Sequence, residues 1–254
     1  MKALEIDPSS GEALASLANV KLNFEWDWQA AEATYVRALA LSPSYATAHQ
    51  WSAQLPVILR RFDEAIERVL RAHELDPLSI RISAMVGWVY YLARRYDCAQ
   101  DHLQMVVEQA SDFAMAHFWL GQVLQQMGAW QLAIRSLEQA AVLFGSNICL
   151  GSLASAHAGA GSITRAKTLI GEMHQLEEIN RYFPAYTVAE AYAALDDRER
   201  AFAYLRKAYV QREPALLFIS VEPKMDGVRN DPRFAALVED IGLPVTPDSL
   251  ARHV

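Results

Sequence analysis

The chain has 254 residues, of which 52% are hydrophobic and 21% are charged. This much apolar material can bury a large core, which excludes a disordered or low-complexity chain. Acidic side chains outnumber basic ones by 30 to 23, a formal net charge of −7, and no local basic patch interrupts that excess, so we expect no nucleic-acid partner.

The N-terminal residues and the cysteines restrict the class further. Residues 1–10 contain no apolar signal-peptide core, and no window reaches the ~18 uncharged apolar residues of a membrane span. We therefore expect a cytoplasmic protein without a membrane partner. Cys98 and Cys149 lie in alanine- and leucine-rich stretches without metal-ligand spacing, so we expect two reduced, mostly buried thiols.

An alanine recurs along the chain with a period close to 34 residues. Twelve residues before each of these alanines stands a Gly or Ala in five of six cases, and four residues after each stands a large apolar residue. A period of this length predicts stacked supersecondary units. The alanines are Ala31, Ala65, Ala99, Ala133, Ala166 and Ala201.

Each repeat has the apolar spacing of two amphipathic helices of about 13 residues. The small residues of the two helices face each other, so that the backbones can approach closely. Pro43 and Pro77 follow the second helices of repeats one and two, where proline cannot continue a helix. Gly128, Gly161 and Asp196 mark turns between the two helices of a repeat. The pattern therefore predicts six antiparallel helix pairs.

The period, the spacing of the small residues and the closing prolines resemble the tetratricopeptide repeat (TPR). The resemblance covers about residues 12–211 as six TPR units, and residues 2–8 resemble the end of a truncated preceding repeat. It implies an all-α TPR α-solenoid, a right-handed superhelix of antiparallel helix pairs with a short helical C-terminal cap.

The predicted domains follow from this repeat. Residues 1–11 form the end of the truncated repeat and residues 12–211 the six TPR units. Residues 212–244 form the helical cap, in which Asp231 and Pro232 start the last helix, and residues 245–254 form a disordered tail.

A narrower resemblance concerns the stretches FEWDWQAAEATYVRALALSPSYATAHQW, GWVYYLARRYDCA, YAALDDRERAFAYLRKAY and RNDPRFAALVEDIGLP. They are similar to C-terminal TPR regions of bacterial winged-helix transcriptional regulators and adenylate-cyclase-type signalling proteins. This implies a protein-interaction scaffold, the sensory or partner-binding part of a bacterial signalling protein. The alternatives are a self-association module and, from another class, an enzyme with a cryptic site in the C-terminal tail.

No constellation of residues predicts catalysis, a metal site or a cofactor. His49 and His117 occupy the same repeat position, so packing explains them, and the other histidines lack partner carboxylates at metal-binding spacing. Gly159 to Gly161 has neither the Lys-Ser/Thr nor the preceding strand of a phosphate loop. We expect a protein or peptide as partner, with a homo-oligomer as a further possibility.

In TPR proteins the first helices line a concave groove through repeat positions 2, 5, 6, 9 and 12. The Lys/Asn/Arg clamp of chaperone-binding TPRs is missing, and the groove is instead rich in aromatic residues and glutamine, which suit a peptide. Exposure to a ligand and packing between neighbouring helices are both open for these side chains. The predicted peptide-binding residues are Gln50, Gln54, Arg81, Trp88, Tyr91, Phe118, Gln122 and Gln125.

Overall fold

The structure, a computed structural model, describes residues 2–145, 147–179 and 183–243. Within these ranges the regular elements are all helical, without a strand. The chain divides into two compact units, Met1–Arg95 and Tyr96–Val254, which we call the N-terminal unit and the C-terminal unit. The predicted tail at 245–254 lies outside the described residues, and the predicted domain boundaries remain predictions.

The N-terminal unit contains seven α-helices among its described residues. They are α1 (Lys2–Ile6), α2 (Gly11–Val20), α3 (Trp28–Leu41), α4 (Ala46–Ser52), α5 (Gln54–Ile58), α6 (Phe62–Leu75) and α7 (Ile80–Leu92). A π-helical turn, Lys21–Glu25, widens the end of α2. Helix α2 packs against α3, and α4 packs against both α6 and α7.

The helices of the C-terminal unit continue the alternation, and the unit ends in short elements. They are α8 (Tyr96–Gln109), α9 (Ala114–Gln126), α10 (Trp130–Phe144), α11 (Leu150–Gly159), α12 (Ile163–Ile179), α13 (Ala185–Ala194), α14 (Arg198–Val210) and α15 (Pro232–Ile241). Three 3₁₀ turns, Asn147–Cys149, Pro214–Phe218 and Pro223–Val228, complete it. Helices α9 and α10, α11 and α12, and α13 and α14 pack in pairs.

Side-chain caps start several of these helices where the sequence changes from turn to helix. The Ser10 hydroxyl accepts a hydrogen bond from the Ala13 amide at 3.2 Å, and the Asp27 carboxylate accepts one from the Ala30 amide at 2.9 Å. Each bond satisfies one of the amides that a helix leaves unpaired at its N-terminus. The Asp231 carboxylate caps α15 in the same way, as the sequence predicted.

The turn between the two helices of each repeat contains one residue with positive φ. Only two of the six are glycine, although this left-handed conformation costs other residues roughly 1–2 kcal/mol. Next to it, the Arg61 amide donates to the Pro56 carbonyl and the Ala129 amide donates to the Leu124 carbonyl, which is the Schellman closure of a helix. The six residues are Trp26, Arg60, Arg94, Gly128, Gly161 and Asp196.

Small residues allow the helices of a pair to approach, as the repeat predicts. Ala31, Ala65, Ala99 and Ala133 are completely buried. A Cβ atom added to Gly121 in α9 would lie 2.6 Å from Leu137 Cγ in α10 and 3.2 Å from the Ala133 carbonyl oxygen. There is therefore no room for a methyl group between α9 and α10 at this point.

The first helices of the repeats from α4 onward contain fewer charged side chains than the second helices. In α4, α5, α7, α9, α11 and α13 only Arg81 and Glu190 have a permanently charged side chain, whereas α6 alone has six Asp, Glu and Arg residues and one histidine among its 14. Neutral, small and aromatic residues let the first helices pack on several sides, because few charges must remain in water.

The two cysteines differ, and the expectation that both are buried is wrong for one of them. Cys149 is buried, but Cys98 is exposed on α8, where its neighbour Ala99 faces the core. No described helix is long and apolar enough to cross a membrane. Nor does any group of three or more His, Cys, Asp or Glu within the described ranges have the arrangement of a metal site.

Candidate functional site

The N-terminal unit leaves three of its five predicted peptide-binding side chains accessible. Arg81 is exposed, while Gln54 and Trp88 are half-buried. Gln54 on α5 and Trp88 on α7 occupy the same repeat position, and Val20 on α2, also at this position, is exposed. We call Val20, Gln54, Arg81 and Trp88 the open face. It combines an aromatic, an aliphatic, an amide and a guanidinium side chain.

The other two predicted residues of this unit cannot contact a ligand in this conformation. Tyr91 is completely buried, and Gln50 is also buried. Of the two alternatives that the sequence left open, packing applies to both residues, because a side chain with almost no accessible surface has no area to offer a partner. Tyr91 belongs to the core of α7 together with Val89 and Leu92.

In the C-terminal unit the predicted groove amides are buried and bonded within the protein. Gln122 Nε2 donates to Ser152 Oγ at 3.4 Å, and Gln125 Nε2 donates to the Ser152 carbonyl oxygen at 3.3 Å. Both amides therefore connect α9 to α11 rather than facing solvent. Of the two alternatives that the sequence left open for Gln122 and Gln125, packing applies. Phe118 is half-buried and packs edge-on against Phe144, with their ring centroids 6.3 Å apart.

A lysine from the C-terminal segment lies on this same group of residues. Lys224 Nζ is 3.0 Å from Glu190 Oε2 on α13 and 3.5 Å from Ser152 Oγ on α11, and it lies 6.0 Å from the centre of the Phe118 ring. Ser152 Oγ donates to Glu190 Oε1 at 2.6 Å. The Lys224 side chain is only 4% exposed and that of Glu190 5%. We call Phe118, Ser152, Glu190 and Lys224 the lysine site.

The charges of the lysine site shift the pKa values of the groups around it. Burial alone would lower the pKa of Lys224, but the Glu190 and Glu222 carboxylates outweigh it, and the net pKa is raised. The ammonium is thus held in its charged form. Burial, reinforced by the charge of Glu190, raises the pKa of the Cys149 thiol to about 12, and burial raises that of the Tyr186 hydroxyl as well.

Two further contacts fix the segment that carries Lys224. The Glu213 carboxylate accepts hydrogen bonds from the Ala185 amide at 2.7 Å and the Tyr186 amide at 3.0 Å, which caps the N-terminus of α13. At the other end, the Arg229 guanidinium donates to the Ser220 and Glu222 carbonyl oxygens and to the Asp226 carboxylate. Residues 213–229, which we call the cap segment, are therefore fixed to α13 by Glu213 and held together internally by Arg229.

Solved structures with the same arrangement of helices identify the fold. A tetratricopeptide repeat protein from Parabacteroides merdae is 16% identical over 85% of this chain and 87% of its own, with a TM-score of 0.64. The chain has the TPR fold. PilF of Pseudomonas aeruginosa (18% identity, 82% of this chain and 95% of its own) gives a TM-score of 0.57. Yeast Tom70 is 14% identical over 94% of this chain and 52% of its own, with a TM-score of 0.60.

The predicted all-α TPR solenoid with a helical cap is confirmed by the helices and by these TPR structures. This chain spans about half of the Tom70 chain. No protein-family model and no curated protein matches the sequence. The likeness to solved structures therefore concerns the fold, and function must be argued from the residues themselves.

Sequence reasoning missed Ser152, Glu190 and Lys224 because the cap segment lies outside the TPR period. One signal was available: Glu190 is the only charged residue in α13, and α9 and α11 have no Asp, Glu, Lys or Arg. An isolated carboxylate in a helix of otherwise neutral residues calls for a cationic partner, since burying it unpaired would be costly. The sequence did not say which cation fills that role.

The sequence left open an enzyme with a cryptic site in the C-terminal tail. The lysine site, which includes Lys224 from that part of the chain, is the arrangement that most resembles such a site. A Ser, a Lys and a Glu converge there, as in some hydrolytic sites. The geometry opposes catalysis, because Ser152 is buried and the Lys224 ammonium is paired with Glu190. A charged ammonium cannot accept the serine proton, and no substrate can reach the hydroxyl.

Three histidines of the TPR units have structural partners. His49 Nε2 bonds the Pro43 carbonyl oxygen, and His117 Nε2 bonds the Ser111 carbonyl oxygen, both at 2.9 Å. The equal spacing of six residues reflects their equal repeat position. His174 on α12 bonds the hydroxyl of Tyr192 at 2.8 Å, which connects α12 to α13. These contacts fix helix ends and pairs.

Proposed function

We propose that this TPR protein is a protein-interaction scaffold that binds a polypeptide segment on the open face of its N-terminal unit. The observation that supports this is a contrast between the two units. Gln122 and Glu190 on the first helices of the C-terminal unit are covered, whereas Gln54 and Trp88, at the same repeat position in the N-terminal unit, remain half-buried. At this repeat position the N-terminal unit thus has accessible side chains on α2, α5 and α7, whereas in the C-terminal unit only Ser155 on α11 is half-buried.

The residues of the open face suit a peptide more than a small molecule. Trp88 can provide a rigid anchor with a large apolar area, and the Gln54 amide can exchange hydrogen bonds with a peptide backbone. Val20 adds aliphatic surface, and Arg81 is a donor that can pair with a carboxylate or a carbonyl oxygen. Most of the binding energy should therefore come from Trp88, with the polar groups selecting the register.

We further propose that this scaffold is the sensory or partner-binding part of a bacterial signalling protein. This rests on the stretches that resemble TPR regions of winged-helix regulators and cyclase-type proteins, among them GWVYYLARRYDCA, which includes Trp88. A surface on which a single aromatic anchor is flanked by polar residues is compatible with reversible binding, as a signalling contact requires.

The test uses the full chain. Wild type and Trp88→Ala are immobilised, partners retained from a bacterial extract are identified, and each partner's affinity is then measured by calorimetry. Trp88→Ala should weaken binding about 30-fold, the equivalent of roughly 2 kcal/mol. Arg71→Ala, an exposed change on α6, should leave the affinity unchanged.

Two results would contradict the proposal. Equal affinities for wild type and Trp88→Ala, with both proteins equally stable to heat, would exclude the open face as the binding surface. If the immobilised chain retains only further copies of itself, and the free chain sediments at twice the monomer mass, the self-association module would be favoured instead.

A further inference from the structure

The lysine site has the properties of a ligand site rather than of an incidental ion pair. The Lys224 ammonium meets a carboxylate, a hydroxyl and the face of an aromatic ring, contributed by α13, α11 and α9. A carboxylate, a neutral hydrogen-bond acceptor and a ring are the groups that together recognise a primary ammonium.

The groups around the ammonium are themselves held in place. Ser152 Oγ donates to Glu190 at 2.6 Å, so its lone pairs remain for the ammonium and for the Gln122 amide, which approaches at 3.4 Å. Gln125 fixes the Ser152 backbone from the other side. Such a set of supporting hydrogen bonds orients a binding site in advance of its ligand.

The ligand belongs to a segment that is not part of the repeats. Lys224 lies in the 3₁₀ turn Pro223–Val228, and its side chain reaches residues 72 and 34 positions earlier in the chain, Ser152 and Glu190. The cap segment contacts α13 through Glu213 as well. A segment of short 3₁₀ turns, outside the repeats, thus lies on the first helices of the C-terminal unit and inserts one lysine.

We propose that Phe118, Ser152 and Glu190 form a binding site for a primary alkylammonium group, with Lys224 as its built-in ligand. In this arrangement the cap segment acts as an internal peptide ligand and closes the first helices of the C-terminal unit to outside partners. The inference concerns a different unit from the open face and stands or falls independently of it.

Chemical rescue tests the site directly. Lys224→Ala removes the propylammonium part of the side chain and leaves space lined by Phe118 and Glu190, which an external ligand of the same shape can fill, as small molecules fill engineered cavities. Thermal unfolding of Lys224→Ala is followed with increasing propylammonium chloride, against 1-propanol and against sodium chloride at equal ionic strength.

The expected result is a lower melting temperature for Lys224→Ala, of which propylammonium recovers about half or more in a saturable manner. Neither 1-propanol nor sodium chloride should do so. Lys207→Ala is the matched control, since Lys207 also pairs with a glutamate, Glu177, but has a half-exposed side chain. No recovery, or equal recovery in Lys207→Ala or with 1-propanol, would overturn the proposal.

A second measurement applies even if Lys224→Ala does not fold. In the wild-type chain, acetylation of each lysine by an active ester is timed by peptide mass spectrometry. Lys224 should react about tenfold or more slowly than Lys207, in line with their exposures of 4% and 41%. Glu190→Gln should speed the reaction of Lys224 and leave that of Lys207 unchanged. Equal rates for the two lysines in the wild type would reject the site.

Discussion

The Arg68 guanidinium donates a hydrogen bond to the backbone carbonyl oxygen of Ser52 at 3.1 Å. Pro56 lies four residues after Ser52 and has no amide hydrogen, so this carbonyl has lost its usual helical partner. The helix is interrupted here, between α4 and α5. Arg68, which also pairs with Glu64 at 2.5 Å, therefore replaces a missing backbone donor.

Removal of Arg68 should destabilise the N-terminal unit. Arg68→Ala leaves the Ser52 carbonyl without this partner, and the expected loss is about 1–3 kcal/mol of unfolding free energy, measured by chemical denaturation. Arg71→Ala is the control, because Arg71 is exposed and its ion pair with exposed Glu74 should contribute little.

Pro56→Ala provides an internal check on the same explanation. With an alanine at position 56, the backbone amide can bond the Ser52 carbonyl, and Arg68→Ala should then cost less than it does beside proline. The double-mutant cycle should give a coupling of about 0.5 kcal/mol or more. Purely additive effects would mean that Arg68 acts through Glu64 or through packing.

Alanine substitution at two glycines should change the free energy of unfolding in opposite directions, because one glycine has a positive φ and the other lies within a helix. Gly128 has a φ of 73°, and a Cβ atom there would meet nothing within 4 Å, so Gly128→Ala changes only backbone strain. It should cost about 1 kcal/mol. Gly171, inside α12, also has open space but a helical backbone, so Gly171→Ala should stabilise by about 0.5–1 kcal/mol. A loss of equal size at both sites would contradict this account.

The periodic features of this fold were predictable from the sequence, and the site was predictable only in part. The buried alanines and the turns at Gly128 and Gly161 follow from a pattern repeated six times, because every repeat solves the same local packing problem. Repeat position gave the side of the helix on which Tyr91 and Gln122 lie. It did not give their depth, which depends on what lies over them.

The contact between Lys224 and Glu190 could not be predicted for a different reason. It joins a segment without period to a repeat, so no spacing rule relates the two residues. The same holds for Arg68, whose role arises from the single proline at position 56 rather than from the repeat. Non-periodic residues that satisfy one local deficit leave no pattern in a single sequence.

The close approach of α9 and α10 predicts a steric cost for a very small change. In Gly121→Ala the new methyl group would lie 2.6 Å from Leu137 Cγ, so Leu137 or the helix backbone must shift. Overpacking of this kind should lower the unfolding free energy by about 1–3 kcal/mol. Gly171→Ala is again the matched control, since it adds the same atom where there is space. Equal stability of the two variants would mean that α9 and α10 are less closely packed than the structure indicates.

The two cysteines should differ sharply in their reaction with a disulfide reagent under native conditions. Cys98 is exposed and should react within the ordinary range for a free thiol. Cys149 is buried beside Glu190, and the rise of its pKa to about 12 lowers the thiolate fraction near pH 8 by roughly three orders of magnitude, in addition to blocking access.

One thiol per chain should therefore be titrated in native buffer and two in denaturant. Cys98→Ser isolates Cys149 and should give almost no native reaction, while Cys149→Ser should retain the fast phase unchanged. In the Cys98→Ser variant the slow reaction should accelerate with Lys224→Ala, because loss of the Lys224–Glu190 ion pair should loosen the packing near Cys149 and open a path for the reagent. Rapid native labelling of Cys149 in the wild type would contradict the burial of this thiol.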